Sequence, residues 1–500
     1  TVTFSLHLGA NERPNIILII ADDLAWDDSV PYGHPTIRTP NLTRMAATGM
    51  RFDRAFLTIS SCSASRSSLI TCKYPHRTDA EQLHWPLPEN QVTFVELLKD
   101  AGYWTAAAGK WHLGNQVKNR FDRIWEVDTS GFQLPSGRAG ESGEFKETAI
   151  GDAKSGCADW LTALNARPKD QPFFLWLAAL DPHRPYDEGI LEKPHGANDV
   201  RLPPYVPDTP EVRKDMALYY DEATRLDRFV GDVMEGVRDQ GIAQNTLILF
   251  ISDNGRPFPR CKSRMYDSGI KTPWVIHYPE KIKRPSVTQS LVSVIDLSAT
   301  CLELAGAKSP DCIQGRSYLP ILKDPKMQVR QVIFAEHNWH VYKNHERMVR
   351  FGNYLYIKNN FPNQPNLCYE SDDHYPAGAE LWKAHAAGKT QPNQLQVFAN
   401  PCPPEELFQV KEDPHQLTNL VSDKKHAKAL KRARALLVKW TKQTGDSIPE
   451  NPTPNRHDPP RIENGKILPP GKAKTRNPHA EMPGESRNAP QINHPGPIKI

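Results

Sequence analysis

Three runs interrupt the otherwise mixed pattern of this chain: residues 15–20, 172–180 and 246–251 are almost wholly apolar, rich in Ile, Leu and Phe. A run that never alternates fits a strand covered on both faces, as in a parallel sheet. A weaker strand is expected at 103–108, a short one at 274–277, and one at 51–59 leading into a turn around Cys62. Between them the period changes to that of helices. Thr39-Pro40-Asn41 opens a short helix (Leu42, Met45, Ala46) closed by Gly49, and Thr93 caps another ended by Gly102. Residues 211–240 carry a long stripe (Met216, Tyr219, Tyr220, Ala223, Leu226, Phe229, Val230, Val233) ended by Gly241, and a further helix is expected at 296–305. Ser67 to Thr71 reads as the start of a helix just beyond Cys62. Strands alternating with helices predict an α/β fold, a doubly wound, mostly parallel sheet with helices on both faces.

From about residue 332 the texture changes. Short segments at 332–335, 348–351 and 354–357 look like antiparallel strands, Glu406-Leu407-Phe408 follows, and residues 422–444 form a basic amphipathic helix with the stripe Ala427, Leu430, Ala433, Leu436, Leu437 and Trp440. A solvated charged face explains that helix better than a membrane surface does. The expected organisation is a catalytic domain at 12–330 with a loop-rich excursion over 115–168, a smaller α+β subdomain at 331–445, and a Pro-rich extended or disordered tail at 446–500.

Composition narrows the picture. The net charge of +4 over 500 residues is too mild to argue for nucleic acid as a partner, and no apolar run is long enough to span a bilayer. The apolar patch at residues 1–10 fits the remnant of a processed leader. Eight cysteines, at 62, 72, 157, 261, 301, 312, 368 and 402, contain no CxxC pair, which argues against a zinc ribbon. If Cys62 is chemically special, seven remain and cannot all pair; Cys301/Cys312 and Cys368/Cys402 are open as bridges. A sequon, Asn41-Leu42-Thr43, lies at a helix start.

The candidate chemistry stands where the buried runs end. The first stops at Asp22-Asp23 and the third at Ser252-Asp253-Asn254-Gly255. In open α/β sheets ligands bind beyond the carboxyl ends of strands, and clustered hard oxygens suit calcium or magnesium. The strand at 103–108 delivers Lys110 and His112, and the run at 172–180 delivers Asp181-Pro182-His183-Arg184. Cys62-Ser63-Ala64-Ser65-Arg66 places a thiol before a helix with a forked cation beside it, and Lys262 and Lys271 compete as a further cation from one loop. A metal with several cations around a nucleophile suits hydrolysis of an oxyanion ester.

These motifs, in this order and with Gly109-Lys110-Trp111-His112 and Glu406-Leu407-Phe408 through Asp413-Pro414 and Thr418-Asn419-Leu420, resemble the type I, formylglycine-dependent sulfatases of the alkaline phosphatase superfamily. The resemblance spans roughly residues 12 to 445. It implies an alkaline-phosphatase-like fold with a smaller C-terminal subdomain, and a sulfuric ester hydrolase. Cys62 would be oxidised to formylglycine by a formylglycine-generating or sulfatase-maturating enzyme, and the hydrated aldehyde would attack sulfur to form a covalent sulfate ester. Asp22, Asp23, Asp253 and Asn254, with the modified Cys62, would hold Ca2+. Arg66 and Lys110 would neutralise charge at the modified residue, His112 would take the proton that expels sulfate, and His183 and Lys262 would face the sulfate and leaving group. Ala64 departs from the proline that many members carry there.

Asp181-Pro182-His183-Arg184, the Pro-rich residues 202–210 and residues 253–259 are similar to the heparan N-sulfatase (sulfamidase) branch and its bacterial relatives. That implies a sulfated carbohydrate substrate, with His84 and Arg184 as contacts to an anionic sugar, in a secreted or periplasmic protein, or a lysosomal one in a eukaryote. An O-sulfatase on a sulfated glycan is preferred. The competing readings are an N-sulfatase, a phosphoester hydrolase of the same superfamily, and a non-catalytic sulfated-glycan binder whose Cys62 stays unmodified.

Overall fold

The computed structural model describes residues 13–127, 151–450, 452–456, 458–464 and 466–468. The expected leader remnant at 1–10, the middle of the 115–168 excursion and most of the 446–500 tail lie outside the described residues.

The main sheet has the strand order β5-β4-β6-β1-β7-β8-β2-β9. Its strands are β1 (Asn15–Ala21), β2 (Met50–Phe52), β4 (Trp104–Gly109), β5 (Arg123–Glu126), β6 (Phe173–Ala178), β7 (Thr246–Ser252), β8 (Trp274–His277) and β9 (Ser286–Thr288), while β3 (Ala55–Phe56) pairs with β10 (Val292–Ser293) outside it. The central strands β4, β6, β1 and β7 are mutually parallel, and β8 runs antiparallel between β7 and β2. The fold is the expected α/β, doubly wound, mostly parallel sheet.

The apolar runs are buried because the sheet is covered twice. Ile16, Leu18 and Ile20 face a core built with α2 (Cys62–Thr71), α3 (Phe94–Asp100) and α7 (Val294–Leu304). Ile17, Ile19 and Ala21 face the opposite core, with α1 (Pro40–Ala47), α4 (Trp160–Asn165) and the thirty-residue α5 (Pro210–Asp239). Alternate side chains of one strand therefore serve two layers, which is what a non-alternating apolar sequence requires. Two short helices, α6 (Asp267–Ile270) and α8 (Leu319–Lys323), lie in the connections after β7 and α7.

The C-terminal sheet is antiparallel: β11 (Val332–His337), β12 (Glu346–Phe351), β13 (Tyr354–Asn359) and β14 (Glu405–Gln409), in sequential order. One face meets Phe56, Met265 and Ile270 of the main body. The other is covered by α10 (Ala427–Thr444), whose Trp440 stacks on Phe334 at 5.2 Å. No helix among the described residues is long and apolar enough to cross a membrane.

Several expectations are corrected. The strand expected over 51–59 breaks into β2 and β3 at Asp53-Arg54. The excursion holds β5 and α4, and α9 (Pro376–Ala386) was not anticipated. The last long helix begins at Ala427, five residues later than expected. All eight cysteines are free thiols, so neither Cys301/Cys312 nor Cys368/Cys402 is bridged.

One glycine is indispensable to the geometry that follows. Gly109 ends β4 with φ +97°, and an added Cβ would lie 1.9 Å from the Ala178 carbonyl oxygen and 2.4 Å from that of Gly156. Both obstacles are packed backbone, of β6 and of the turn at Gly156, so Gly109→Ala is expected to cost about 3 kcal/mol or more. Chemical denaturation checks this; a variant as stable as the parent would show that the strand end yields.

Candidate active site

Four neighbouring parallel strands end on the same side, and their register brings their next residues together. Ala21 pairs with Ser252, Ile20 with Ala178, and Gly109 with Ala178. The chain beyond each strand end supplies Asp22 and Asp23 after β1, Lys110 and His112 after β4, Asp181 and His183 after β6, and Asp253 and Asn254 after β7. Cys62 enters from above as the first residue of α2, with Ser61 as N-cap, five residues earlier than the expected helix start. Asp23, His84 and His112 all adopt left-handed φ (+70°, +68° and +57°). Such conformations in residues other than glycine persist only where surrounding structure enforces them.

The charges are matched in pairs. Lys110 donates to Asp22, Lys262 Nζ donates to Asp23 at 2.7 Å, and Arg66 Nε donates to Asp253 Oδ2 at 3.0 Å. Cys62 Sγ lies 3.7 Å from Asp22 Oδ1 and 3.9 Å from Asp23 Oδ1. Asn254 turns its amide nitrogen to Asp23 and leaves Oδ1 buried without a partner. A buried acceptor with no donor is costly in a native fold. Together with three buried carboxylates it makes a hard-oxygen donor set that fits a divalent cation. Asp22, Asp23, Cys62 and His183 also each offer a ligand atom within 4.8 Å of the others.

Protonation states follow from the same packing. Burial pushes the Cys62 thiol far up, outweighing Lys110 and Lys262, so the unmodified residue holds its proton. Burial, then the Lys110 charge, holds His112 well below its ordinary value; burial, then Lys262, lowers His183. Both imidazoles are therefore neutral. His183 Nδ1 donates to the Arg184 carbonyl, which leaves Nε2 facing Asp23 at 3.9 Å. His112 Nε2 lies 2.8 Å from His84 Nδ1.

The cleft over these groups is open to solvent and lined by Asp23, Cys62, His84, His112, His183, Arg184 and Lys262 from the main body, with His340, Tyr369, Glu370, Tyr375 and Arg456 from the C-terminal part.

A family model described as Sulfatase matches residues 14–307, and one described as N-sulphoglucosamine sulphohydrolase, C-terminal, matches residues 261–360. The chain belongs to the sulfatase family. Among relatives of this sulfatase, an ulvan-active sulfatase of Formosa agariphila is 27% identical over 492 residues, covering 89% of this chain and 78% of the relative. The human N-sulphoglucosamine sulphohydrolase is 29% identical over 499 residues, covering 87% and 91%. Among solved structures, a protein in complex with its substrate D-glucosamine-2-N,6-O-disulfate has a TM-score of 0.64 at 20% identity, covering 87% of this chain and 99% of that one. A phosphonate monoester hydrolase of Agrobacterium radiobacter has a TM-score of 0.62 at 16% identity, covering 86% and 96%. These structural likenesses show the fold.

The sulfatase is an enzyme, a sulfuric ester hydrolase. Every site residue expected from its sequence lies in or beside the one cleft. Lys262, not Lys271, reaches the site; Lys271 sits 3.2 Å over the Trp26 ring. Arg184 lines the cleft, but Asp215 holds its guanidinium through two hydrogen bonds of 2.6 Å, and the rings of Tyr186, Phe258 and Tyr375 surround it. Its charge is thus already met by Asp215 where it lines the cleft. Sequence reasoning missed His340, whose Nδ1 lies 2.9 Å from the Ser61 hydroxyl at the start of α2, and Glu370. Both come from loops with no periodicity, almost three hundred residues or more from Cys62, and no motif marks either.

Proposed function

We propose that this sulfatase hydrolyses sulfate esters of a sulfated carbohydrate, with a formylglycine made from Cys62 and a bound Ca2+. The observation that carries the reading is the seat of Cys62: a buried, protonated thiol against Asp22 and Asp23, where the orphaned Asn254 oxygen completes a hard-cation donor set. A thiol so held is a poor nucleophile, whereas its oxidised, hydrated form supplies an attacking hydroxyl. Asp22, Asp23, Asp253 and Asn254 would hold Ca2+, which supplies positive charge against the sulfate oxygens. Three carboxylates already face three cations here, so the divalent ion is the surplus charge that an anionic sulfate meets.

The chain's own groups divide the remaining work. Arg66, fixed by Asp253, and Lys110, fixed by Asp22, stabilise negative charge at the modified residue. Lys262 is held well above its ordinary range: burial pulls it down, and Asp23 and its neighbours more than compensate, so it stays a cation toward the sulfate. His112, kept neutral, is the base. His183, with a bare Nε2 turned to the cleft, orients the sulfate ester on the leaving-group side, and Lys262 stabilises the charge that develops there. Partners in this reading are the sulfated glycan and the enzyme that converts Cys62. A secreted, periplasmic or lysosomal setting belongs to the same reading.

The experiment is expression with a formylglycine-generating enzyme, followed by peptide mass spectrometry at Cys62 and desulfation assays with and without a calcium chelator. Conversion of Cys62 and loss of turnover on chelation, restored by Ca2+, are expected. Full activity from protein whose Cys62 is still a thiol would overturn the proposal. The match of residues 261–360 to the N-sulphoglucosamine sulphohydrolase model favours an N-sulfate as the second reading. Release of sulfate from N-sulfoglucosamine but from no O-sulfated sugar would select it.

A further inference from the structure

Among the described residues, Glu370 is the one acidic wall residue of the catalytic cleft that the proposed chemistry does not use. It is 3% exposed, in the turn Tyr369–Ser371, and it lines the cleft together with His183 and Lys262. Its Oε2 is buried and has no hydrogen-bond partner. Beside it, Tyr369 and Tyr375 meet edge to face at 5.4 Å, and Tyr375 carries the Arg184 guanidinium on its ring at 4.5 Å.

A buried carboxylate oxygen without a donor is an interaction left for a ligand to make. Its placement beside a sulfate-binding centre is otherwise paradoxical, because burial, only partly offset by Lys262, already disfavours its charge and an approaching anion disfavours it further. The paradox resolves if the sulfate and the rest of the sugar are read by different walls. We infer that Glu370 reads the sugar ring beside the scissile sulfate, accepting a hydrogen bond from a ring hydroxyl or amine and excluding a second sulfate or a carboxylate there. This inference rests on the carbohydrate reading above. A site built around an acceptor rejects analogues that cannot donate to it, and a like charge at short range adds to the discrimination.

The test compares the parent enzyme with Glu370→Gln and Glu370→Ala on glucosamine 6-sulfate, N-sulfoglucosamine, glucosamine 2-N,6-O-disulfate and 4-nitrophenyl sulfate. The readout is the ratio of kcat/KM for the better monosulfated sugar to that for the disulfate. The parent is expected to favour the monosulfated sugar by about 10-fold or more, and both variants to bring the ratio close to one. Thermal melts accompany the kinetics: a purely structural role would lower the melting temperature without moving the ratio. An unchanged ratio in folded variants, or a parent with no preference, overturns the role of Glu370 alone. Turnover of 4-nitrophenyl sulfate but of none of the sugars overturns the carbohydrate reading, and this inference with it. Turnover of nothing by enzyme with converted Cys62 overturns the proposed function itself.

Discussion

Cys62→Ala is expected to lower kcat/KM for sulfate esters by about 10^4-fold or more, while leaving the fold in place. The residue carries the nucleophile of the proposed reaction; Asp22 and Asp23 beside it are tied to Lys110 and Lys262. Its structural contribution is one buried sulfur at 2% exposure, between small neighbours Ser61 and Ser63. Removing that atom costs about 1 kcal/mol, so the thermal midpoint should shift by a few degrees at most. Hydrolysis of 4-nitrophenyl sulfate checks the first half and a melt the second. Activity within a hundredfold of the parent would show that another group attacks.

Asp253→Ala is expected to damage stability and chemistry together. Arg66 is fully buried, and its guanidinium faces Asp253 through Nε at 3.0 Å and Nη2 at 2.8 Å. Removing one member of such a pair leaves an uncompensated buried charge, at a cost of about 3–5 kcal/mol. The same substitution removes one of the oxygen ligands proposed for Ca2+. Asp253→Asn keeps an acceptor for Arg66 and loses only the charge, so its loss of stability should be smaller while its calcium affinity still falls. Denaturation midpoints and calorimetric calcium titration separate the two effects. Equal stability of the alanine variant and the parent would mean that Arg66 finds another partner.

The fold was legible where burial on both faces leaves no choice of residue. The runs ending at Ala21, Ala178 and Ser252 carry their own signature, and the polar residues that follow them stand out by contrast. The cleft's sheet-borne half was readable for the same reason. Segments whose structure depends on distant neighbours were not. The start of α2 is built from Ser and Ala, which show no helical stripe because every face of that helix is buried. The polar pair Asp53-Arg54 splits what its flanks suggest is one strand. Lys262 and Lys271 are equivalent in a loop until Asp23 and Trp26 select their places. His340 and Glu370 reach the cleft only because the C-terminal sheet packs on the main body, a long-range placement that no local pattern encodes.

All ten residues of α2 are buried, and Cys62 opens it at the floor of the cleft. On the proposed reading, an enzyme that oxidises this thiol has to reach residues that the folded helix buries on every face, so conversion would precede completion of the native core. Conversion and folding would then compete on each new molecule, and a chain that folded first would be well formed and idle. Slower folding around α2 would raise the active fraction of a preparation without improving a single active site.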